Sequence, residues 1–265
     1  MNTVKWSELT SKDIEKIDKD EVVVILPIGS IEVHGPHLPL GTDTMVIYHV
    51  SLEAAKRDGK CLVLPPLYYA YVPENRHFPG TISLSYDTFL KVLEDIVDEV
   101  SRQGFRKILI VNGHGGNRRP LRLFLRHMLE RGTRAEIYIL VDTLAPIKDV
   151  IEEVRETGVY EHACEIETSL ILYLAPKLVK LERVTGEAKL GKRWLANGLE
   201  TMVDWQRYAI MGYVGDPRKA SKEKGEKLIK HWIDELVKII KIVREDKEYN
   251  KVLERYYGEA YKDAI

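Results

Sequence analysis

The residues best suited to chemistry sit in one loop, Gly29-Ser30-Ile31-Glu32-Val33-His34-Gly35-Pro36-His37-Leu38-Pro39-Leu40-Gly41-Thr42-Asp43. Glu32 and His34 are two apart, so in extended backbone both side chains leave the same face. A carboxylate beside an imidazole can serve one metal ion or two adjacent ones. Asp43 has two oxygens and can bridge two cations held about 3.5–4 Å apart. Singly, each has a plainer explanation: Asp43 as a helix N-cap, His34 as a turn residue bonded to backbone. All three in one loop beyond a buried strand favour a metal centre.

Three further blocks carry ionisable groups. Asn112-Gly113-His114-Gly115-Gly116-Asn117 places a histidine among glycines, which let backbone pass close to a ligand or adopt positive φ. A phosphate cradle at the start of the helix beginning near Asn117 is the competing reading. A phosphate nest needs only N–H groups, so His114 favours a metal, while Arg118 and Arg119 keep a phosphorylated substrate open. Glu161-His162-Ala163-Cys164-Glu165-Ile166-Glu167-Thr168 opens a helix with two carboxylates that also suit its dipole. Its Cys164 reads as a small packed residue rather than a nucleophile. Asn75-Arg76-His77-Phe78-Pro79-Gly80-Thr81 is a loop able to line a pocket mouth. Of the eight histidines, His49, His127 and His231 fall in helical patterns and read as packing or surface residues.

These loops need a scaffold, and the hydrophobic pattern supplies one. Val22–Leu26 is nearly all apolar, as a strand buried on both faces should be. Similar runs recur at 61–64, 107–111 and 136–141. Between them, Phe89, Val92, Leu93, Ile96, Val97 and Val100 keep helical spacing, with Gly104 as a stop. Helices are likewise expected over 120–129, 166–174 and 224–243. Strands alternating with helices predict a three-layer α/β/α domain with a largely parallel sheet, spanning 1–265 as one unit. In such sheets ligands bind outside the carboxyl ends of the strands, where three of the histidine loops emerge. Residues 186–217 have no clean period and read as an irregular excursion, a lid or an oligomer contact.

Composition narrows the class. With 45% hydrophobic and 31% charged residues and a net charge of −1 over 265 residues, nothing attracts the chain to nucleic acid or a membrane surface. No apolar run approaches the roughly 20 residues of a bilayer span. Two distant cysteines, Cys61 and Cys164, suggest neither a disulfide framework nor a zinc ribbon, and with no secretion-like N-terminus the expectation is cytoplasmic.

Taken together, Pro27 to Asp43, His77 to Thr81, Asn112 to Asn117 and His162 to Thr168 resemble the creatininase (creatinine amidohydrolase) family in order and spacing. Gly212 to Gly225, with Gly215-Asp216-Pro217 and Ala220-Ser221, is similar to its C-terminal signature. The resemblance implies a homo-oligomer, often a hexamer, with two divalent metal ions (zinc, manganese or iron) that hydrolyse a C–N bond in a small molecule. By position, Glu32 and His34 each bind one metal, Asp43 bridges them, and His114 completes one side. His162 would shuttle a proton with Glu167 close by, and His77 and Asn117 would border the substrate. A metal-bridging hydroxide would attack the carbonyl carbon, with no covalent nucleophile on the protein. Two positions depart from creatininase itself. Its acid two residues after the glycine-loop histidine is Gly116 here, which makes Glu165 the expected replacement ligand. Its substrate-enclosing tryptophans are missing: Gly158 stands where one would be and Thr143 and Leu144 near the other, which argues against creatinine. Other reactions open to the family are formamidopyrimidine-nucleotide deformylation, cofactor-precursor peptide trimming and cyclic-ketone hydrolysis. Outside it, the alternative is a flavodoxin-like nucleotide- or phosphate-binding module.

Overall fold

The computed structural model describes residues 3–142 and 144–260, so Thr143 lies outside the described residues. Four parallel strands form one sheet: β1 (Val23–Ile28), β2 (Cys61–Val63), β3 (Lys107–Asn112) and β4 (Glu136–Leu140), in the order β2-β1-β3-β4. Every residue of β1 is buried, because helices cover both faces. Val23 and Ile25 face one apolar cluster with Val46, Ile47 and Val50, while Val24 and Leu26 face another with Phe89, Leu93 and Val97. This alternation follows from the two-residue period of a strand. Each fully buried aliphatic or aromatic side chain contributes about 1.5–3 kcal/mol relative to exposure, so the core holds the strand ends rigidly.

After a short α1 (Ser11–Glu15), α2 (Thr42–Asp58) follows the first loop. It ends at Gly59, whose φ of 78° is the left-handed conformation a helix stop favours. On the opposite face lie α3 (Tyr86–Arg102), N-capped by Ser85, and α4 (Arg118–Arg131). The α5 helix (Lys148–Val154) precedes α6 (Glu165–Leu174). The excursion after residue 186 is irregular apart from α7 (Asp204–Tyr208) and a turn at Pro217–Lys219. The long α8 (Lys222–Glu245) packs on α2 and α6, and α9 (Tyr249–Ala260) follows it. No helix among the described residues is long and apolar enough to cross a membrane.

The strand order contains a topological switch. The chain steps from β1 outward to β2, then returns to lay β3 on the other side of β1. Ligand crevices in open α/β sheets lie at this point, because the loops leaving the two central strands diverge there. Ile28 pairs with Asn112, so the loop that carries Glu32 and His34 and leads to Asp43 in the first turn of α2, and the loop carrying His114, leave the sheet side by side.

Candidate metal centre

Two local features join the loops. The Gly113 N–H donates to the Ile28 carbonyl at 2.7 Å. A Cβ at Gly113 would stand 2.8 Å from the Asp43 carbonyl oxygen and 2.9 Å from an Ile47 methyl, so only glycine lets this backbone rest on the first turn of α2. The third block arrives through a backbone exception. Ala163 is the single non-glycine positive-φ residue among the described residues, at 47°, which turns the chain sharply between His162 and α6.

The result is a cluster of three carboxylates and three imidazoles, in which Glu32, His34, Asp43, His114 and His162 are buried and Glu167 is partly buried. Their donor atoms fall into overlapping groups. Glu32, Asp43 and His114 form one; His34, Asp43 and Glu167 form a second; His162 joins Glu32 and His34 in a third. Asp43 belongs to the first two through different oxygens. Its Oδ2 lies 3.1 Å from His114 Nδ1 and accepts from Ser30 Oγ at 2.8 Å, while its Oδ1 lies 3.0 Å from His34 Nε2. Glu32 Oε1 is 2.7 Å from His114 Nδ1, and its Oε2 accepts from Asn75 Nδ2 at 2.6 Å.

Electrostatics follow from burial and proximity. Burial opposes a charge on His34, but the Asp43 and Glu167 carboxylates override it and raise its pKa to about 10. His114 is held well above the usual imidazole range against the same penalty, by Glu32 and Asp43. Asp43 is held well below the usual carboxylate range, because the two imidazoles outweigh desolvation. Glu167 moves the other way: burial raises it and His34 and His162 offset only part. His37, buried and beside His34, is pushed down to about 4, and it meets Thr168 Oγ1 at 2.9 Å rather than joining the cluster. Burying so many charges is unfavourable unless they are paired or coordinate a metal. The residues fit cations: among the described residues Glu32 Oε1, facing His114 Nδ1 and the Asp43 side chain, is buried without a full hydrogen bond.

His162 stands over the cluster. Its Nε2–H donates to the Val33 carbonyl at 2.7 Å, and since a carbonyl only accepts, the proton sits on Nε2. Its ring lies 4.4 Å from that of His34 and takes the edge of Trp205 at 5.7 Å. Cys164 is buried and its thiol is pushed up to about 12, first by burial and then by Glu167, so it is no thiolate nucleophile.

Several expected positions are corrected. Glu165 is not brought to the cluster. Its carboxylate is fully buried on the other side of the α6 N-terminus, where it accepts from the Glu156 and Thr157 amides, Thr157 Oγ1 and Lys224 Nζ. Glu165 and Glu167 are two apart at a helix start, so they point to different sides, and Glu167 is the one beside His34 and Asp43. Asn117 is buried beneath the glycine loop, where its Nδ2 donates to Asn112 Oδ1 at 3.1 Å and to the Gly29 carbonyl at 3.3 Å, so it braces the backbone. His77 is exposed outside the cluster and rests on Phe78, which lines a separate apolar hollow with Val33, Met211 and Tyr213. The phosphate-cradle reading also fails: buried carboxylates face the glycine loop, and Arg118 and Arg119 pair with Asp142 and Glu200, each at 2.6 Å.

Sequence reasoning missed Glu74 and Trp205, and named Asn75 only as part of a loop able to line a pocket mouth. Glu74 and Asn75 lie just before the His77-Phe78-Pro79-Gly80-Thr81 block, and Trp205 lies in the excursion that has no period. Trp205 from this excursion meets His162 and Asn75. Gly158, with nothing near a notional Cβ, contributes no such contact.

Residues 7–240 match the Creatininase family, described as creatinine amidohydrolase. The chain is 32% identical to the creatinine amidohydrolase of Pseudomonas putida, over 84% of this chain and 90% of that protein. It is 27% identical to the 3-dehydro-scyllo-inosose hydrolase of Thermotoga maritima, over 91% of this chain and 84% of that one. A solved creatinine amidohydrolase superposes at a TM-score of 0.79 with 30% identity, covering 93% of this chain and all (100%) of that chain. Fold and site together define a metal-dependent amidohydrolase of the α/β class. Within that class, the chain belongs to the creatininase family.

Proposed function

We propose that this enzyme hydrolyses a C–N bond in a small cyclic amide or formamide-type substrate at a centre built for two divalent metal ions. The observation that carries this reading is the position of Asp43, whose two oxygens face two different donor groups, Glu32 with His114 and His34 with Glu167. Zinc, manganese or iron ions held there supply Lewis acidity towards a carbonyl oxygen and lower the pKa of water.

The chain's own residues do the rest. His162 holds its Nε2 proton on Val33 and so presents the Nδ1 lone pair, which suits an imidazole that takes a proton and returns it to a departing nitrogen. The Ala163 N–H bonds Glu167 Oε2, which anchors the α6 carboxylate beside the same histidine. Trp205 sets its ring edge against the His162 imidazole at 5.7 Å and so holds that ring from one side. Exposed Trp194, Leu195, Leu199 and Met202 on the same excursion suit self-association into a homo-oligomer.

The test is a turnover screen of zinc-, manganese- and iron-loaded protein against cyclic amides, formamides and cyclic ketones, beside His162→Ala. Turnover of an amide or formamide by the parent, lowered at least about 100-fold in the variant, is expected. Turnover confined to cyclic ketones would refute the C–N assignment.

A further inference from the structure

The space above Gly116 is filled. A Cβ built on Gly116 would stand 2.2 Å from Glu74 Oε1 and 2.4 Å from His114 Nε2. An acidic side chain leaving this position, as in creatininase itself, would start where a carboxylate from another loop now rests. That loop is the Pro73–Asn75 turn, which also reaches the centre through its next residue, Asn75.

We propose that the Pro73–Asn75 turn is a clamp on the Glu32/Asp43/His114 metal site, in which Glu74 fixes the His114 ring and Asn75 fixes the Glu32 carboxylate. His114 turns Nδ1 towards Glu32 and Asp43, leaving Nε2 to face Glu74 Oε1 at 3.4 Å. That nitrogen is buried and makes no full hydrogen bond among the described residues. A ligating histidine typically donates its second ring N–H to a carboxylate, which sets the tautomer and ring angle. Glu74 stands where that acceptor is needed, and it belongs to none of the donor groups itself. Asn75 does the same for Glu32: its Nδ2 holds Oε2 at 2.6 Å, leaving Oε1 facing His114. The turn is in turn seated by α7. Trp205 Nε1 donates to Asn75 Oδ1 at 2.8 Å, and Gln206 Nε2 donates to the Glu74 carbonyl at 3.0 Å. Both residues are therefore positioning residues, and the excursion that carries Trp205 is coupled to the metal site through them.

The inference rests on the reading of the cluster as a two-metal centre, and the experiment separates the two. Zinc affinity is measured by chelator competition, and cobalt-loaded protein is followed by its visible absorption, for the parent, Glu74→Ala, Glu74→Asp, Glu74→Gln and Asn75→Ala. Melting curves confirm that each variant is folded. Glu74→Ala and Asn75→Ala should weaken one of the two sites about 10- to 100-fold and change the cobalt spectrum. Glu74→Asp or Glu74→Gln, which keep an acceptor oxygen, should recover part of the affinity. Folded variants with the parent's affinities and spectrum would overturn the clamp alone. A parent protein that takes up no zinc or cobalt would overturn the two-metal reading and the clamp with it.

Discussion

Replacing Glu165 with glutamine removes one charge from a buried pair and tests where this acid acts. Its carboxylate is fully buried; it accepts two backbone amides and the Thr157 hydroxyl at 2.8–3.0 Å and lies 2.5 Å from Lys224 Nζ. Glutamine keeps one acceptor oxygen but brings an NH₂ group, which must point at an amide N–H or at the ammonium. Breaking a buried pair by removing one partner costs about 3–5 kcal/mol. Lys224 keeps Glu156 at 2.6 Å and the Lys219 carbonyl at 2.8 Å, so the lower end, about 3 kcal/mol, applies. At about 2–4 °C per kcal/mol for chains of this order of size, the melting temperature should fall by roughly 6–12 °C. Burial works against the Glu165 charge, but Lys224 and the Thr157 donors hold its carboxyl below the ordinary value. A depressed carboxyl stabilises the fold above its unfolded pKa of about 4.3 and loses that contribution as pH falls through the folded value. The gap between parent and variant should therefore be full at neutral pH and shrink in acid. The assay is a thermal melt from pH 7 to pH 3 with metal analysis of the same samples. An unchanged melting temperature together with the loss of one metal equivalent would refute the argument and make Glu165 a ligand.

Other perturbations follow from the same geometry. Glu167→Gln should lower bound metal from two equivalents towards one, read by elemental analysis, with a smaller melting shift than Glu165→Gln. Gly116→Ala forces a methyl group against Glu74 and His114; zinc affinity should fall about 10-fold or more, and an unchanged value would mean the ring moves aside freely. Metal uptake should release protons at pH 7.5. The metal-free protein keeps His34 protonated up to about 10 and His114 well above the imidazole range, and ligation requires both rings neutral at the binding nitrogen. Calorimetry in buffers of different ionisation enthalpy reads that release, and zero release would show that these rings do not ligate.

Much of the fold was legible because it obeys short periods. The runs at 22–26, 61–64, 107–111 and 136–141 fall on the observed strands within one or two residues, and the helix expected over 89–100 lies inside Tyr86–Arg102. A helix end was visible where glycine has local work to do: Gly104, read as a stop, lies two residues past Arg102 with a φ of 96°. The excursion resisted because its contacts are long-range. Trp205 meets Asn75 and His162 from positions 130 and 43 residues away in the chain, and no periodicity encodes such pairings.

For the centre, the division is physical. Local spacing along the chain determined that Glu32, His34 and Asp43 fall in one segment after β1 and that His114 sits among glycines. These are properties of one segment each. Which of Glu165 and Glu167 reaches them was decided by how α6 sits against α8. Lys224 draws Glu165 away into a buried pair, and the turn at Ala163 aims Glu167 at His34. The vacancy left by Gly116 was likewise decided in three dimensions, by a carboxylate from residue 74 that no spacing rule connects to residue 114. Side-chain direction at a helix start and contact between distant loops depend on packing, and packing exists only once the chain is folded.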